Sequence, residues 1–216
     1  MYKAVIFDLD GTLLDTLDDL TSAVNHALNA YSLPLRSREE VRAFIGNGAK
    51  KLILRASGDS VHANEILETF RTRYKSCFAE KTKPYPGVLE MLTVLREKGV
   101  KTAVLSNKPD ALTTALTEKF FGDWIAFSQG DKESVAMPRK PAPDGLYLVM
   151  EKIGAKKDET VYIGDSEVDI QTAKNAGVDC ISVSWGFKDR AFLLENGAEK
   201  LADTAQQVLR FCGVEV

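Results

Sequence analysis

Two short stretches concentrate acidic side chains, Asp8-Leu9-Asp10 and Asp165-Ser166-Glu167-Val168-Asp169, and each follows an apolar run. If Asp8, Asp165 and Asp169 converge, their mutual repulsion is costly without a cation. An all-oxygen ligand set of this size points to a hard metal, Mg²⁺ before Ca²⁺. One carboxylate of such a set can also act as a nucleophile and carry an aspartyl-phosphate. Asp10 needs a bend after it to turn toward the same pocket, and Gly11 supplies the freedom for one. There it could protonate a leaving oxygen and later activate water. A third polar cluster, Ser106-Asn107-Lys108, also ends an apolar run. A lone Asp-x-Asp is weak evidence, because acids at strand ends form turns and cap helices. Three polar clusters at one sheet edge carry more weight.

The runs that deliver these residues read as strands: 4–11, 101–107, 160–166 and 180–186, with a weaker candidate at 124–130. Their apolar positions are near-continuous, as in a parallel sheet covered on both faces. Helical patterns lie between them. Residues 86–99 place Val88, Leu92 and Leu95 on one face, with Pro86 at the start and Gly99 as a stop. Residues 144–154 and 168–177 also end in glycine. Alternation of this kind predicts an α/β fold, a doubly wound parallel sheet with a Rossmann-like core. In such sheets ligands sit beyond the carboxyl ends of the strands.

Residues 16–83 break the alternation. Leu17, Leu20, Val24, Ala27, Leu28 and Tyr31 recur at helical spacing, Ser37 to Glu40 reads as a capping box, and Ile66, Phe70, Tyr74, Cys77 and Phe78 mark a longer helix. The expected organisation is an α/β core of residues 1–15 and 84–216 with a four-helix cap, 16–83, inserted after the first strand. The return passes through the stiff segment Lys83-Pro84-Tyr85-Pro86-Gly87.

Composition narrows the function. Of 216 residues, 44% are hydrophobic and 27% charged, and the net charge of −3 is spread in mixed sign. That argues for a packed globular protein and against a basic nucleic-acid surface. No apolar run is long enough to span a bilayer and no signal-peptide pattern is present, so a cytoplasmic protein without membrane or nucleic-acid partners is expected. Cys77, Cys180 and Cys212 are too scattered for a zinc site. His26 and His62 read as solvated or packed, Trp124 and Trp185 as packing residues, and Asp144 as the cap of the helix that follows it.

Taken together, Asp8-Leu9-Asp10-Gly11-Thr12-Leu13-Leu14-Asp15, Ser106-Asn107, Lys140 within Arg139-Lys140-Pro141-Ala142-Pro143, and Gly164-Asp165-Ser166-Glu167-Val168-Asp169 resemble the four motifs of the haloacid dehalogenase-like hydrolase superfamily, in its order and over most of the chain. The resemblance implies a nucleophilic Asp8 that also binds metal. It implies Asp10 as general acid and base, with its main-chain carbonyl on the metal, Asp165 as the second metal carboxylate, and Asp169 supporting the metal directly or through water. Ser106 and Asn107 would donate to the phosphoryl oxygens, Lys140 would offset charge between phosphate and Asp8, the backbone amides after Asp8 would complete the cradle, and Gly11 and Thr12 would bind substrate.

Asp10 favours a phosphoryl substrate over the alkyl-halide branch, which needs no second acid on the first strand. Between the inserted helices, Phe44-Ile45-Gly46-Asn47-Gly48-Ala49-Lys50 resembles the substrate-specificity loop of phosphoglycolate phosphatases. Gly46, Asn47 and Gly48 would let amides approach a small anion, and Lys50 or Arg55 would receive a carboxylate. The expected activity is Mg²⁺-dependent hydrolysis of a small phosphorylated metabolite, 2-phosphoglycolate first, by a monomer or homodimer. A phosphomutase resembling β-phosphoglucomutase, a phosphonatase, a pyrophosphatase or nucleotidase, and a non-catalytic phosphate-binding regulator remain alternatives.

Overall fold

The computed structural model describes residues 1–46, 48–58, 60–132 and 137–214. The chain opens with β1 (Ala4–Phe7), turns, and leaves through β2 (Leu14–Asp15) into four helices, α1 (Leu17–Ala30), α2 (Arg38–Phe44), α3 (Gly48–Ser57) and α4 (Ala63–Cys77). It returns through β3 (Lys83–Pro84), which pairs with β2 in a two-stranded ribbon. Then follow α5 (Val88–Glu97), β4 (Lys101–Pro109), α6 (Asp110–Phe120), β5 (Phe127–Asp131), α7 (Asp144–Ile153), β6 (Thr160–Gly164), α8 (Glu167–Ala176), β7 (Asp179–Val183), α9 (Arg190–Glu195), β8 (Leu201–Ala202) and α10 (Ala205–Phe211).

Six strands form one parallel sheet in the order β5-β4-β1-β6-β7-β8. In order of appearance within that sheet this is 3-2-1-4-5-6, the doubly wound arrangement whose order reverses beside its first strand. β1 therefore lies in the middle, with Ala4 opposite both Lys101 and Thr160. All four of its residues are buried, which explains the unbroken apolar run. One core cluster joins Ile6, Leu105 and Tyr162 of the sheet to Leu146, Val149 and Ile153 of α7 and Ala173 and Ala176 of α8. Each Val, Leu or Ile side chain of the cluster contributes about 1.5–3 kcal/mol on burial.

The first strand is shorter than its sequence pattern suggested. Pairing stops at Phe7 because the amides of Thr12, Leu13 and Leu14 turn back onto the Leu9 carbonyl, closing a tight loop around Gly11 at φ +85°. The weak candidate near 124–130 is β5, preceded by a single 3₁₀ turn at Gly122–Trp124. The two-residue β8 carries too short a pattern to be read. Asp144 does not cap α7. Pro143 occupies the cap position and Asp144 is the first helical residue, where its charge faces the positive end of the helix dipole.

By contacts the chain divides into two compact units, residues 1–14 with 84–216, and residues 15–83. In the second, α1 buries Leu17, Leu20, Val24, Ala27 and Leu28, and α4 buries Ile66, Leu67, Phe70, Tyr74 and Cys77. The Ser37 hydroxyl accepts from the Glu40 amide and the Glu40 carboxylate from the Ser37 amide, so α2 does begin with a capping box. Asp19, fully buried in α1, accepts from the amides of Lys81 and Thr82 and from the Thr82 hydroxyl at 2.7–3.0 Å. That carboxylate ties the returning segment to the helix that follows the departing one. Among the described residues, no helix is long and apolar enough to cross a membrane.

Candidate active site

The carboxyl ends of β1, β4 and β6 bring the predicted acids of the core together. Asp8 follows β1, its amide bonded to the Ile163 carbonyl at 2.8 Å. Its carboxylate accepts from the Leu9 amide at 2.7 Å and pairs with Lys140 at 3.0 Å. Lys140 also meets Asp169 at 2.8 Å and the Tyr162 hydroxyl at 2.9 Å. The Lys140 backbone is strapped by the Asn107 carboxamide, which donates to its carbonyl and accepts from its amide at 3.0 and 2.9 Å. Ser106 accepts the Lys108 amide at 3.3 Å, which leaves its hydroxyl hydrogen free to donate.

Asp165 stands just after β6, buried to 2% exposure. One oxygen accepts the Phe187 amide at 2.6 Å, and the other lies 3.5 Å from the Thr12 hydroxyl. A Cβ on Gly11 or on Gly186 would collide with this carboxylate, so both glycines are needed for the close approach. The Trp185 indole donates to the Thr12 carbonyl at 3.0 Å, bracing the same loop. Asp169 has no exposed surface, and both its oxygens are engaged, one by Lys140 and Tyr162, the other by the amide and hydroxyl of Ser166. Asp10 pairs with Lys108 through both oxygens, at 3.0 and 3.1 Å.

Oxygens of Asp8, Asp165 and Asp169 lie within 4.8 Å of one another. Among the described residues, four acids, Asp8, Asp10, Asp165 and Asp169, face two lysines, Lys108 and Lys140, leaving two formal negative charges. Burial first, then the charges of Asp169 and Asp10, push Asp8 from an ordinary 3.8 up to about 6, against the pull of Lys140. Asp165 is raised well above the usual range by burial and by Asp169 and Asp8. A divalent cation fits this donor set, since it would cancel the residual charge with hard oxygen ligands. Without it the raised carboxylates favour their protonated forms, and for Asp8 the stability held below about pH 4 is lost as pH rises toward about 6. Added Mg²⁺ is accordingly expected to raise the melting temperature more at about pH 7.5 than at about pH 5, where protons compete for the ligands. Differential scanning fluorimetry at the two pH values measures the difference, and an equal shift at both would disprove the coupling.

Gly46, Gly48 and Lys50 belong to the helical unit. Gly46, at φ +132°, lies between α2 and α3, Gly48 opens α3, and Lys50 is exposed in its first turn. Asn47 lies outside the described residues. Arg55 reaches back to the Phe44 carbonyl at 2.7 Å and so closes the base of this loop. Sequence reasoning missed the pairing of Lys108 with Asp10, the Tyr162 hydroxyl between Lys140 and Asp169, and the brace from Trp185 to Phe187. Lys108 beside Ser106 and Asn107 was the available signal. Tyr162 reads only as a core aromatic.

The model of the haloacid dehalogenase-like hydrolase family matches residues 5–183. A phosphoglycolate phosphatase of Pseudomonas syringae pv. syringae is 36% identical over 223 residues, covering 97% of this chain and 79% of the relative. Among solved structures, a Lactobacillus delbrueckii subsp. bulgaricus protein provisionally described as a phosphoglycolate phosphatase superposes with a TM-score of 0.92 at 37% identity, covering 98% of each chain. CbbY from Rhodobacter sphaeroides, in complex with xylulose-(1,5)bisphosphate, superposes with a TM-score of 0.75 at 26% identity over 95% of each chain. On this evidence the chain belongs to the haloacid dehalogenase-like hydrolase family, in its phosphoglycolate phosphatase-like branch, and is an enzyme of the phosphoric monoester hydrolase class.

Proposed function

We propose that this enzyme hydrolyses 2-phosphoglycolate, or a close small phosphate monoester, through an aspartyl-phosphate on Asp8 with Mg²⁺ as cofactor. The observation that carries the reading is the setting of Asp8. Its side chain keeps 13% exposure at the strand-end crevice, while Lys140 holds it at 3.0 Å and two further carboxylates stand close by. Asp8 and Asp165, with the main-chain carbonyl of Asp10, would hold the cation, which when bound offsets the negative charge of the transferring phosphoryl group. Asp169 would act chiefly by fixing Lys140 and the start of α8.

The chain's own groups account for the rest. An Asp8 oxygen bonds to phosphorus as the ester oxygen departs with a proton from Asp10. Water then attacks phosphorus, gives its proton to Asp10, and the bond to Asp8 breaks. Ser106, with its free hydroxyl hydrogen, donates to the phosphoryl oxygens and Lys140 balances their charge, while the amides of Gly11 and Thr12, bonded to the Leu14 and Leu9 carbonyls, shape the loop. The helical unit acts as the cap, with Gly46, Asn47, Gly48 and Lys50 contacting substrate. The relatives named for phosphoglycolate favour that substrate, whereas the bisphosphate bound to CbbY favours a sugar bisphosphate as the second reading.

A panel of phosphate esters, assayed for phosphate release with and without Mg²⁺, separates these readings. Metal-dependent turnover highest on 2-phosphoglycolate is the expected result. Preference for a sugar bisphosphate would keep the chemistry and reject the substrate. Absence of release from every ester would reject both.

A further inference from the structure

Two lysines, not one, bracket the acids of the first strand. Lys140 grips Asp8, and Lys108 grips Asp10 through both carboxylate oxygens, with 4% of the Lys108 side chain exposed. The backbone around Lys108 is built for that reach. Between the pairs Leu105–Gln129 and Pro109–Asp131, β4 takes four residue steps where β5 takes two, an irregularity of the kind that re-aims side chains at a strand end. The Lys108 carbonyl accepts from the Thr113 hydroxyl at 3.2 Å. A Cβ on Gly130 would strike that carbonyl, the same hydroxyl and the Asp110 backbone, so β5 carries a residue without one at the point of closest approach.

Asp10 lies two residues beyond the nucleophile, on a chain already turning at Gly11, and two rotatable bonds separate its carboxylate from that turn. Two oxygens held by one buried ammonium fix both torsions.

We propose that Lys108 is a positioning residue for Asp10 in the second half of the reaction, the hydrolysis of the aspartyl-phosphate. This rests on the covalent mechanism proposed above. In that step the water oxygen bonds to phosphorus, the bond from phosphorus to Asp8 breaks and returns its electron pair to the Asp8 carboxylate, and the water proton passes to Asp10. Lys108 neither gains nor loses a proton. It keeps the acceptor oxygen where the water proton leaves, and a misplaced base forfeits most of a general-base contribution of about 10²–10⁴-fold.

The test uses p-nitrophenyl phosphate, whose leaving group departs without an acid. Wild type is expected to release nitrophenolate linearly. K108M is expected to release a burst approaching one equivalent per enzyme, then to turn over about 100-fold more slowly than wild type. A lower rate with no burst would place Lys108 in the transfer to Asp8 and overturn the proposal, as would an unchanged rate. Should K108M fail to fold, D10N is compared with D10N/K108M, in which the buried pair carries no charge. Equal turnover supports action through Asp10, and a further tenfold loss overturns it. Retained turnover in D8N would overturn the covalent mechanism itself. An inactive D8N alongside a burst-free K108M would remove the Lys108 role alone.

Discussion

Replacing Asp8 by Asn is expected to lower kcat by about 10⁴-fold or more while the protein keeps its fold, as losses of a covalent nucleophile generally do. The carboxamide is nearly isosteric, and its carbonyl oxygen can still accept the Leu9 amide that fixes the native rotamer. What it lacks is a charged oxygen able to carry the phosphoryl group. Folding is not expected to suffer, because the native Asp8 is itself pushed up to about 6 by burial and by Asp169 and Asp10, so a neutral group relieves repulsion. A melting temperature at or above that of the wild type in the absence of Mg²⁺, together with loss of phosphate release, is the expected pair of results. Turnover near the wild-type rate would exclude Asp8 as the nucleophile.

Lys140→Met is expected to damage both stability and turnover. Burial would lower the affinity of this ammonium for its proton, yet Asp169 and Asp8 together overcome that and hold it well above the ordinary lysine range. Removing it strips the buried Asp169 of its cation, and breaking one side of a buried ion pair costs roughly 3–5 kcal/mol. The loss of a charge facing the phosphoryl group should lower kcat/KM by about 10²–10³-fold. Arg is not expected to rescue, because its planar fork cannot reproduce a point charge shared by Asp8, Asp169 and the Tyr162 hydroxyl. Urea denaturation and phosphate-release kinetics test the two parts separately. An unchanged midpoint would show that the pair contributes no net stability.

These effects arise from parts of the protein that were unequally visible in its sequence. The buried strands announce themselves because a parallel strand covered on both faces needs apolar residues at every position, as Val5, Ile6 and Phe7 supply. A motif also marks a strand's end, since the first polar residue after the run is where the backbone leaves the sheet. Side-chain partnerships carry no such signature. Lys108 and Asp10 are 98 residues apart, and nothing local to either announces the other. Phe187 holds Asp165 through its main-chain amide, which any residue but proline would provide, so its identity is uninformative. Trp185, read from the sequence as a packing residue, donates to the Thr12 carbonyl, because an indole that packs must still satisfy its N–H. Nothing local to Asn107 shows that its carboxamide straps the Lys140 backbone.

The central position of β1 has a consequence for how the protein is made. Of the strands in its sheet, β1 is made before its neighbours and needs them most, because Ala4 pairs with Lys101 on one side and Thr160 on the other. Neither partner exists until much of the chain has been synthesised. Meanwhile α1 to α4 find their contacts within residues 15–83 and can assemble early. The nascent protein thus carries a finished helical unit beside an orphaned, wholly apolar strand, the kind of segment on which chaperones act. Late closure of the sheet around β1 would also be the slow step of refolding, since distant pairings are the last to repay the entropy of bringing them together.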